Sequence, residues 1–260
     1  MERWSGKVAI VTGASSGIGA ATTEALVREG LHVVGVARRV EKVAKISEKL
    51  KGAKGKLYAK KCDLAKEKDI LEVFEWVKKN LGGVDVLVNN AAVVKAEPLS
   101  EGSTEGFRSI MDVNVIGVAI ATREAVRSMK ERKSDGHIIN INSVVGHSIE
   151  MATNIFSLYP SSKYAVTAMT EVIRKELALS KSKIKITSLS PGLVNTEMID
   201  SASNSDESGL NQNFLRSQPI LNPEDIANGI VYVLSTPPHV QVSELTIRPV
   251  GELIENLKSD

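Results

Sequence analysis

The stretch of this chain best suited to proton chemistry is Tyr159-Pro160-Ser161-Ser162-Lys163. A tyrosine and a lysine four residues apart share one face of a helix. The residues that follow are helical in pattern: Ala165, Val166, Ala168, Met169, Val172, Ile173, Leu177 and Leu179 recur at three- and four-residue spacing. An ammonium held beside a phenol favours the phenolate and lowers the phenol's pKa, so Tyr159 is expected to exchange a proton near neutral pH. The pair alone has a plain alternative, because Tyr-x-x-x-Lys also arises by chance on exposed helix faces.

A second stretch points to a nucleotide. Val8-Ala-Ile-Val-Thr12 reads as a strand and runs into Gly13-Ala-Ser15-Ser16-Gly17-Ile18-Gly19, after which a helical pattern begins. A tight strand-to-helix turn brings backbone N–H groups against a diphosphate at a helix N-terminus. Gly13 permits the turn, Gly17 lets the backbone approach the phosphate, and Gly19 allows helix and strand to pack closely. The spacing is G-x-x-x-G-x-G, which is neither the P-loop nor G-x-G-x-x-G. The second strand ends in Ala37-Arg38-Arg39, where NAD-selecting folds usually carry a carboxylate for the ribose hydroxyls. Arginine offers a planar fork matched to a phosphate, so Arg38 and Arg39 argue for the 2′-phosphate of NADP(H). Against this stands the reading of two arginines opening an exposed helix.

The elements that must position these groups alternate. Candidate strands are Val8–Thr12, His32–Ala37, Lys56–Lys61, Val84–Asn89, His137–Asn142, Lys185–Ser190 and Glu244–Pro249. Helical patterns cover Gly17–Glu29, Val40–Lys51, Lys66–Leu81, Glu105–Arg132, Tyr159–Ser180 and Pro223–Ser235. Runs such as Val-Asp-Val-Leu-Val suit strands buried on both faces, and strict alternation implies an α/β fold. The expectation is a single doubly wound, Rossmann-type domain over residues 1–260, with a central parallel sheet of about seven strands and helices on both faces. Two stretches break the alternation, His147–Leu158 and Glu197–Pro219. Both follow strands at their carboxyl ends, where such sheets bind ligands, and are expected to be a substrate insert and a lid loop.

Composition narrows the function. A formal net charge of +2 gives no reason to expect nucleic acid or a membrane surface as partner. The lysine run from Lys42 to Lys61 reads as a solvated face, with a weaker reading in which it draws in a phosphate-rich ligand. Cys62 is the only cysteine, which excludes an intrachain disulfide, and the four histidines lack metal-ligand spacing. No metal site is expected. Without an apolar leader or a run long enough to span a bilayer, a cytoplasmic protein is expected.

With these residues in hand, the chain resembles the short-chain dehydrogenase/reductase family. Thr12-Gly13-x-x-x-Gly17-x-Gly19 matches its cofactor turn, Asn89-Asn90-Ala91 its fourth-strand motif, and Asn114 its helix asparagine. Ser143 matches its fifth-strand serine, Tyr159-x-x-x-Lys163 its active-site pair, and Pro191-Gly192 followed by Val194-x-Thr196 the segment after strand six. The matches keep the family's order from residue 7 to about residue 250. Within the family, Glu2-Arg3-Trp4, Gly35-x-Ala37-Arg38, Met129-Lys130-Glu131-Arg132 and Tyr232-Val-Leu-Ser-Thr-Pro237 are similar to animal NADP-dependent 17-β-hydroxysteroid/3-ketosteroid dehydrogenases and insect farnesol dehydrogenases. Arg39 and Glu41 lean to the insect branch.

The resemblance implies roles. Tyr159 is the general acid/base, Lys163 lowers its pKa and binds the nicotinamide ribose, and Ser143 donates to the substrate oxygen. Asn114 holds a water linking Lys163 to solvent. Asp63 and Leu64 flank the adenine, and Asn90 and Ala91 sit by the adenosine ribose. Pro191, Gly192, Val194 and Thr196 line the nicotinamide end, Val194 and Thr196 gripping its carboxamide. Each residue has a plainer reading: Ser143 as a turn residue, Asn114 as a helix kink, Asp63 as an N-cap, Cys62 as a small buried hydrophobe. Family members commonly assemble as homodimers or homotetramers through the Glu105–Arg132 and Tyr159–Ser180 helices.

Two departures from the family pattern stand out. Ala92 replaces the glycine of Asn-Asn-Ala-Gly, which would strain a residue that needs positive φ. Ser143 precedes Tyr159 by 16 positions, more than usual, with the excess in the His147–Leu158 insert. Pocket candidates Val93, Val94, Val145, Ile149, Ile155, Phe156 and Gly192 are mainly apolar, so a small hydrophobic carbonyl or alcohol is the expected substrate. Ketosteroids, isoprenoid alcohols and small aromatic carbonyls all fit. The rivals are an acyl-carrier-protein ketoreductase, opposed by acidic Glu197, Asp200, Asp206 and Glu207, and a silent binding protein on the same fold.

Overall fold

The computed structural model describes residues 1–149, 156–199 and 218–252. Its seven strands are β1 (Val8–Thr12), β2 (His32–Ala37), β3 (Lys56–Lys61), β4 (Val86–Asn89), β5 (His137–Ile141), β6 (Lys185–Pro191) and β7 (Glu244–Ile247). They form one sheet in the order β3-β2-β1-β4-β5-β6-β7, every neighbouring pair parallel. The expected doubly wound fold is therefore the one observed. All residues of β1, β4, β5 and β6 are buried. Their continuous apolar runs fit strands covered on both faces.

The period of two along each strand divides the core. Ala9 and Val11 point to one face, where they meet Leu26, Val27, Val43 and Ile46 and the Ile226–Leu234 stripe. That face carries α1 (Gly17–Arg28), α2 (Val40–Lys49) and α7 (Pro223–Ser235). Val8 and Ile10 point to the other face, toward Ile70, Val73, Ala121, Ala125 and Leu177. There lie α3 (Glu67–Leu81), α4 (Thr104–Met111), α5 (Val118–Glu131) and α6 (Tyr159–Leu179). Burying each Val, Leu or Ile side chain of these stripes contributes about 1.5–3 kcal/mol, which makes the packed faces a stiff platform for the loops at the carboxyl edge.

The single helix expected over Glu105–Arg132 is interrupted. Between α4 and α5, residues Asp112–Gly117 form a π-helical turn, and Asn114 sits in it fully buried. Such wide turns inside α-helices often mark functional sites. Here Gly117 is needed for close approach, because a Cβ on it would stand 2.6 Å from the Leu64 carbonyl oxygen.

Candidate active site

The strand order reverses between β1 and β4, and the crevice at that switch point is where open α/β sheets bind ligands. On its floor lies the glycine turn. Gly13 and Gly17 have φ of +68° and +53°, a region that L side chains rarely adopt. A Cβ at Gly19 would lie 2.3 Å from the Gly13 oxygen, so helix and strand pack there without room for a side chain. Thr12, which opens the cofactor-turn motif but was given no role of its own, is the hub of this turn. Its Oγ1 accepts from the backbone N–H groups of Asn90 and Ala91, both at 2.9 Å. The Asn90 side-chain amide donates to the Thr12 carbonyl at 2.8 Å and approaches that of Gly13 at 3.3 Å. Asn90, expected beside a ribose, thus uses its side chain to tie β4 to the β1 turn.

Ser143 follows β5 and Tyr159 opens α6, and their side chains are hydrogen-bonded to each other. The Lys163 ammonium lies 5.5 Å from the centre of the Tyr159 ring and donates to the Ile141 carbonyl at 2.8 Å. Three of the four expected catalytic groups therefore converge at the carboxyl end of β5. Asn114 joins them through Ser162: its amide donates to Ser162 Oγ at 3.0 Å, and Ser162 Oγ donates to the Tyr159 carbonyl at 2.7 Å. The remaining bonds of Asn114 go to Val93, accepting from its N–H at 2.8 Å and donating to its carbonyl at 2.9 Å. Asn114 is thus both a kink residue and a strut between the β4 loop and α6.

Contrary to the expectation that Lys163 lowers it, the Tyr159 pKa is raised. Burial pushes the Tyr159 phenol up to about 12, opposed only in part by the bond to Ser143. Burial also pulls Lys163 down to about 8. Desolvation disfavours the charged form of both groups. The phenol is held as a proton donor, and the lysine titrates close to neutrality.

Leu64 is buried in the core beside Cys62, whose thiol burial pushes up to about 12, so it is an inert core residue. Asp63 closes its own turn by accepting from the Ala65 N–H at 3.2 Å. Pro191 ends β6, and Gly192 N–H donates to the Ile247 carbonyl at 2.8 Å. Val194 bridges to Leu221, which closes the base of the segment after β6. Thr196 lies against the glycine turn, its methyl 2.9 Å from where a Cβ on Gly17 would stand. Ser15, Ser16 and Ile18 form the half-buried rim of the turn. Arg38 and Arg39 are both exposed, and Arg39 donates to Ser16 Oγ at 3.2 Å and to the Glu197 carboxylate at 2.6 Å.

On the substrate side, Val94 and Val145 are buried near the site, and Phe156 bridges to Glu97 and packs against Tyr159 with the ring centres 6.4 Å apart and the planes tilted by 51°. Ile149, expected in the pocket wall, is 63% exposed. Ile155 and most of the expected lid, residues 200–217, lie outside the described residues. Ala92 is not among the residues with positive φ, so its replacement of glycine carries no backbone strain. Among the described residues no cluster of His, Cys, Asp or Glu could hold a metal, and no helix is long and apolar enough to cross a membrane.

The short chain dehydrogenase family profile matches residues 7–207, more than half of the chain. The chain is a short-chain dehydrogenase/reductase. It is 50% identical to the farnesol dehydrogenase of Aedes aegypti, over 97% of this chain and 99% of that protein. It is 48% identical to dehydrogenase/reductase SDR family member 11 of Gallus gallus, over 97% of this chain and 100% of that protein. Among solved structures it resembles a serine dehydrogenase in complex with NADP+, with a TM-score of 0.85 and 27% identity, covering 97% and 99% of the two chains. A dehydrogenase/reductase from Burkholderia phymatum in complex with NAD aligns with a TM-score of 0.82 at 25% identity, covering 95% and 90%. The chain is thus a short-chain dehydrogenase/reductase oxidoreductase, and enzymes of its fold hold either nicotinamide cofactor.

Proposed function

We propose that this enzyme interconverts a hydrophobic carbonyl and its alcohol with NADP(H), an isoprenoid alcohol such as farnesol or a ketosteroid being the substrate class. The observation that carries the proton chemistry is the Ser143–Tyr159–Lys163 convergence at the end of β5. Tyr159, neutral and half-buried, donates its proton to a carbonyl oxygen in reduction and takes it back in oxidation. Ser143, already bonded to the phenol, supplies a second donor to the charge that develops on that oxygen. Lys163, titrating at about 8, replaces the proton that Tyr159 gives up.

The residues present fit a nicotinamide dinucleotide. The positive-φ glycines clear the N-terminus of α1 for a diphosphate, and Thr196 lies across from Gly17. Asp63, Leu64, Asn90 and Ala91 border the adenosine end, and Pro191, Gly192, Val194 and Thr196 the nicotinamide end. The cofactor supplies the hydride. For the phosphorylated form, the supporting observation is that Arg39 and Lys42 already hold an anion, the Glu197 carboxylate, with Arg39 also bonded to Ser16 on the rim of the glycine turn. Arg38, exposed beside them, adds to the positive field. The substrate class is supported by the apolar Val94, Val145 and Phe156, and by the name of the mosquito relative, a farnesol dehydrogenase. Assembly as a homodimer or homotetramer and a cytoplasmic setting belong to the same proposal.

Cofactor consumption against farnesal, a 3- or 17-ketosteroid and an aromatic diketone, with NADPH and NADH in parallel, tests this reading. Turnover of one lipid class with NADPH is expected. Turnover confined to NADH, or to polar substrates, contradicts it.

A further inference from the structure

Glu197 stands at the foot of the segment after β6, yet its carboxylate reaches residues that follow β2. Three strands, β1, β4 and β5, separate β2 from β6 in the sheet. One carboxylate oxygen accepts from Arg39 at 2.6 Å, and the other accepts from Lys42 Nζ at 2.8 Å. The same guanidinium nitrogen of Arg39 also donates to Ser16 Oγ, on the rim of the glycine turn. These contacts span the crevice over the carboxyl edge of the sheet, and the neighbouring Thr196 rests on Gly17 at its floor. The bonds from Lys42 and Arg39 hold the Glu197 carboxyl down at about 2, so it stays charged at every working pH.

We propose that Glu197 is a specificity-determining residue: an internal anion that occupies the cation pair meant for the adenosine 2′-phosphate and must be displaced by it. This rests on the NADP(H) reading above. A 2′-phosphate brought to Arg39 and Lys42 meets a carboxylate already there, and two anions sharing those donors repel each other. The phosphate wins the exchange because it carries more charge and three acceptor oxygens against two. A 2′-hydroxyl carries no charge with which to displace the carboxylate and can donate a hydrogen bond to it. Glu197 thus does from the β6 side what an acidic residue at the end of β2 does in NAD-selecting folds, and it narrows the preference for the phosphorylated cofactor. Lys42, half of the cradle, belongs to the basic run whose plainer reading was a solvated face.

Calorimetric binding of adenosine 2′,5′-bisphosphate and adenosine 5′-monophosphate to the wild type and to Glu197→Gln tests this without turnover. The glutamine keeps the size of the side chain and removes its charge. The bisphosphate is expected to bind Glu197→Gln about threefold to tenfold more tightly than the wild type, a range set by the weak coupling of exposed ion pairs. The monophosphate should not tighten. Adding Arg39→Ala and Lys42→Ala to Glu197→Gln should cancel the gain. No gain, an equal gain for both nucleotides, or a gain that survives loss of both cations overturns the role of Glu197. If the wild type itself binds the bisphosphate no better than the monophosphate, the NADP(H) reading fails, and the assignment of Glu197 fails with it.

Discussion

The Lys163 ammonium donates to the carbonyl of Ile141 at 2.8 Å, so the lysine of α6 is anchored to the last residue of β5. That bond fixes the helix against the strand two residues before Ser143. It also keeps the ammonium beside the tyrosine ring, at 5.5 Å, and does not pair it with a carboxylate. Its hydrogen bond goes to an uncharged carbonyl, and desolvation lowers its pKa.

The first prediction concerns pH. Lys163 falls from its ordinary 10.5 to about 8, so it is charged on the acid side of that value and neutral above it. If it resupplies the proton of Tyr159, kcat/KM for carbonyl reduction is level below about pH 8 and falls about tenfold per unit above it. A profile that stays flat through pH 9.5 contradicts this. The same shift has a stability signature of defined sign. The folded pKa lies below the unfolded one, so between about 8 and 10.5 the unfolded chain binds more protons and this group makes stability rise with pH.

The second concerns Ser162, which stands between Asn114 and the Tyr159 carbonyl. Ser162→Ala leaves the buried Asn114 amide short of a partner and is expected to cost about 1–3 kcal/mol of stability. Turnover should fall about tenfold through the displaced Tyr159, since small misplacements of reacting groups are costly, while cofactor affinity holds. Thermal melts and a kcat against KM comparison check it. Unchanged kcat would mean that the strut does not position the phenol.

A third prediction addresses the glycine turn. Gly19→Ala places a methyl 2.3 Å from the Gly13 oxygen and 2.4 Å from the Asn90 amide nitrogen. The first neighbour is backbone and cannot rotate away, so the turn must open and cofactor affinity should fall at least about tenfold. Fluorescence titration with NADPH reads this directly, and wild-type affinity would show that the turn does not seat the diphosphate.

Much of this was legible in the sequence, and the exceptions have physical causes. The sheet was readable because runs such as Val8–Thr12 are buried on both faces and alternate with helices, which leaves few topologies. The π-helical turn at Asp112–Gly117 was not, since Val113, Val115, Ile116 and Val118 continue an apolar pattern through it and its width depends on Asn114 reaching Val93. The direction of the Tyr159 shift depends on how much protein covers the phenol, which spacing along one helix does not encode. The partners Arg39 and Glu197 are 158 positions apart, and only the fold brings them together.

The central claim is that Tyr159 passes the proton while the cofactor passes the hydride. The most direct test is NADPH oxidation with farnesal or a ketosteroid by the wild type and by Tyr159→Phe, with NADPH affinity measured alongside. The phenylalanine ring keeps the packing on Phe156 and loses the hydroxyl bonded to Ser143. Turnover reduced by about 10²–10⁴, with NADPH affinity intact, is the predicted result. Turnover near the wild-type rate would contradict the assignment.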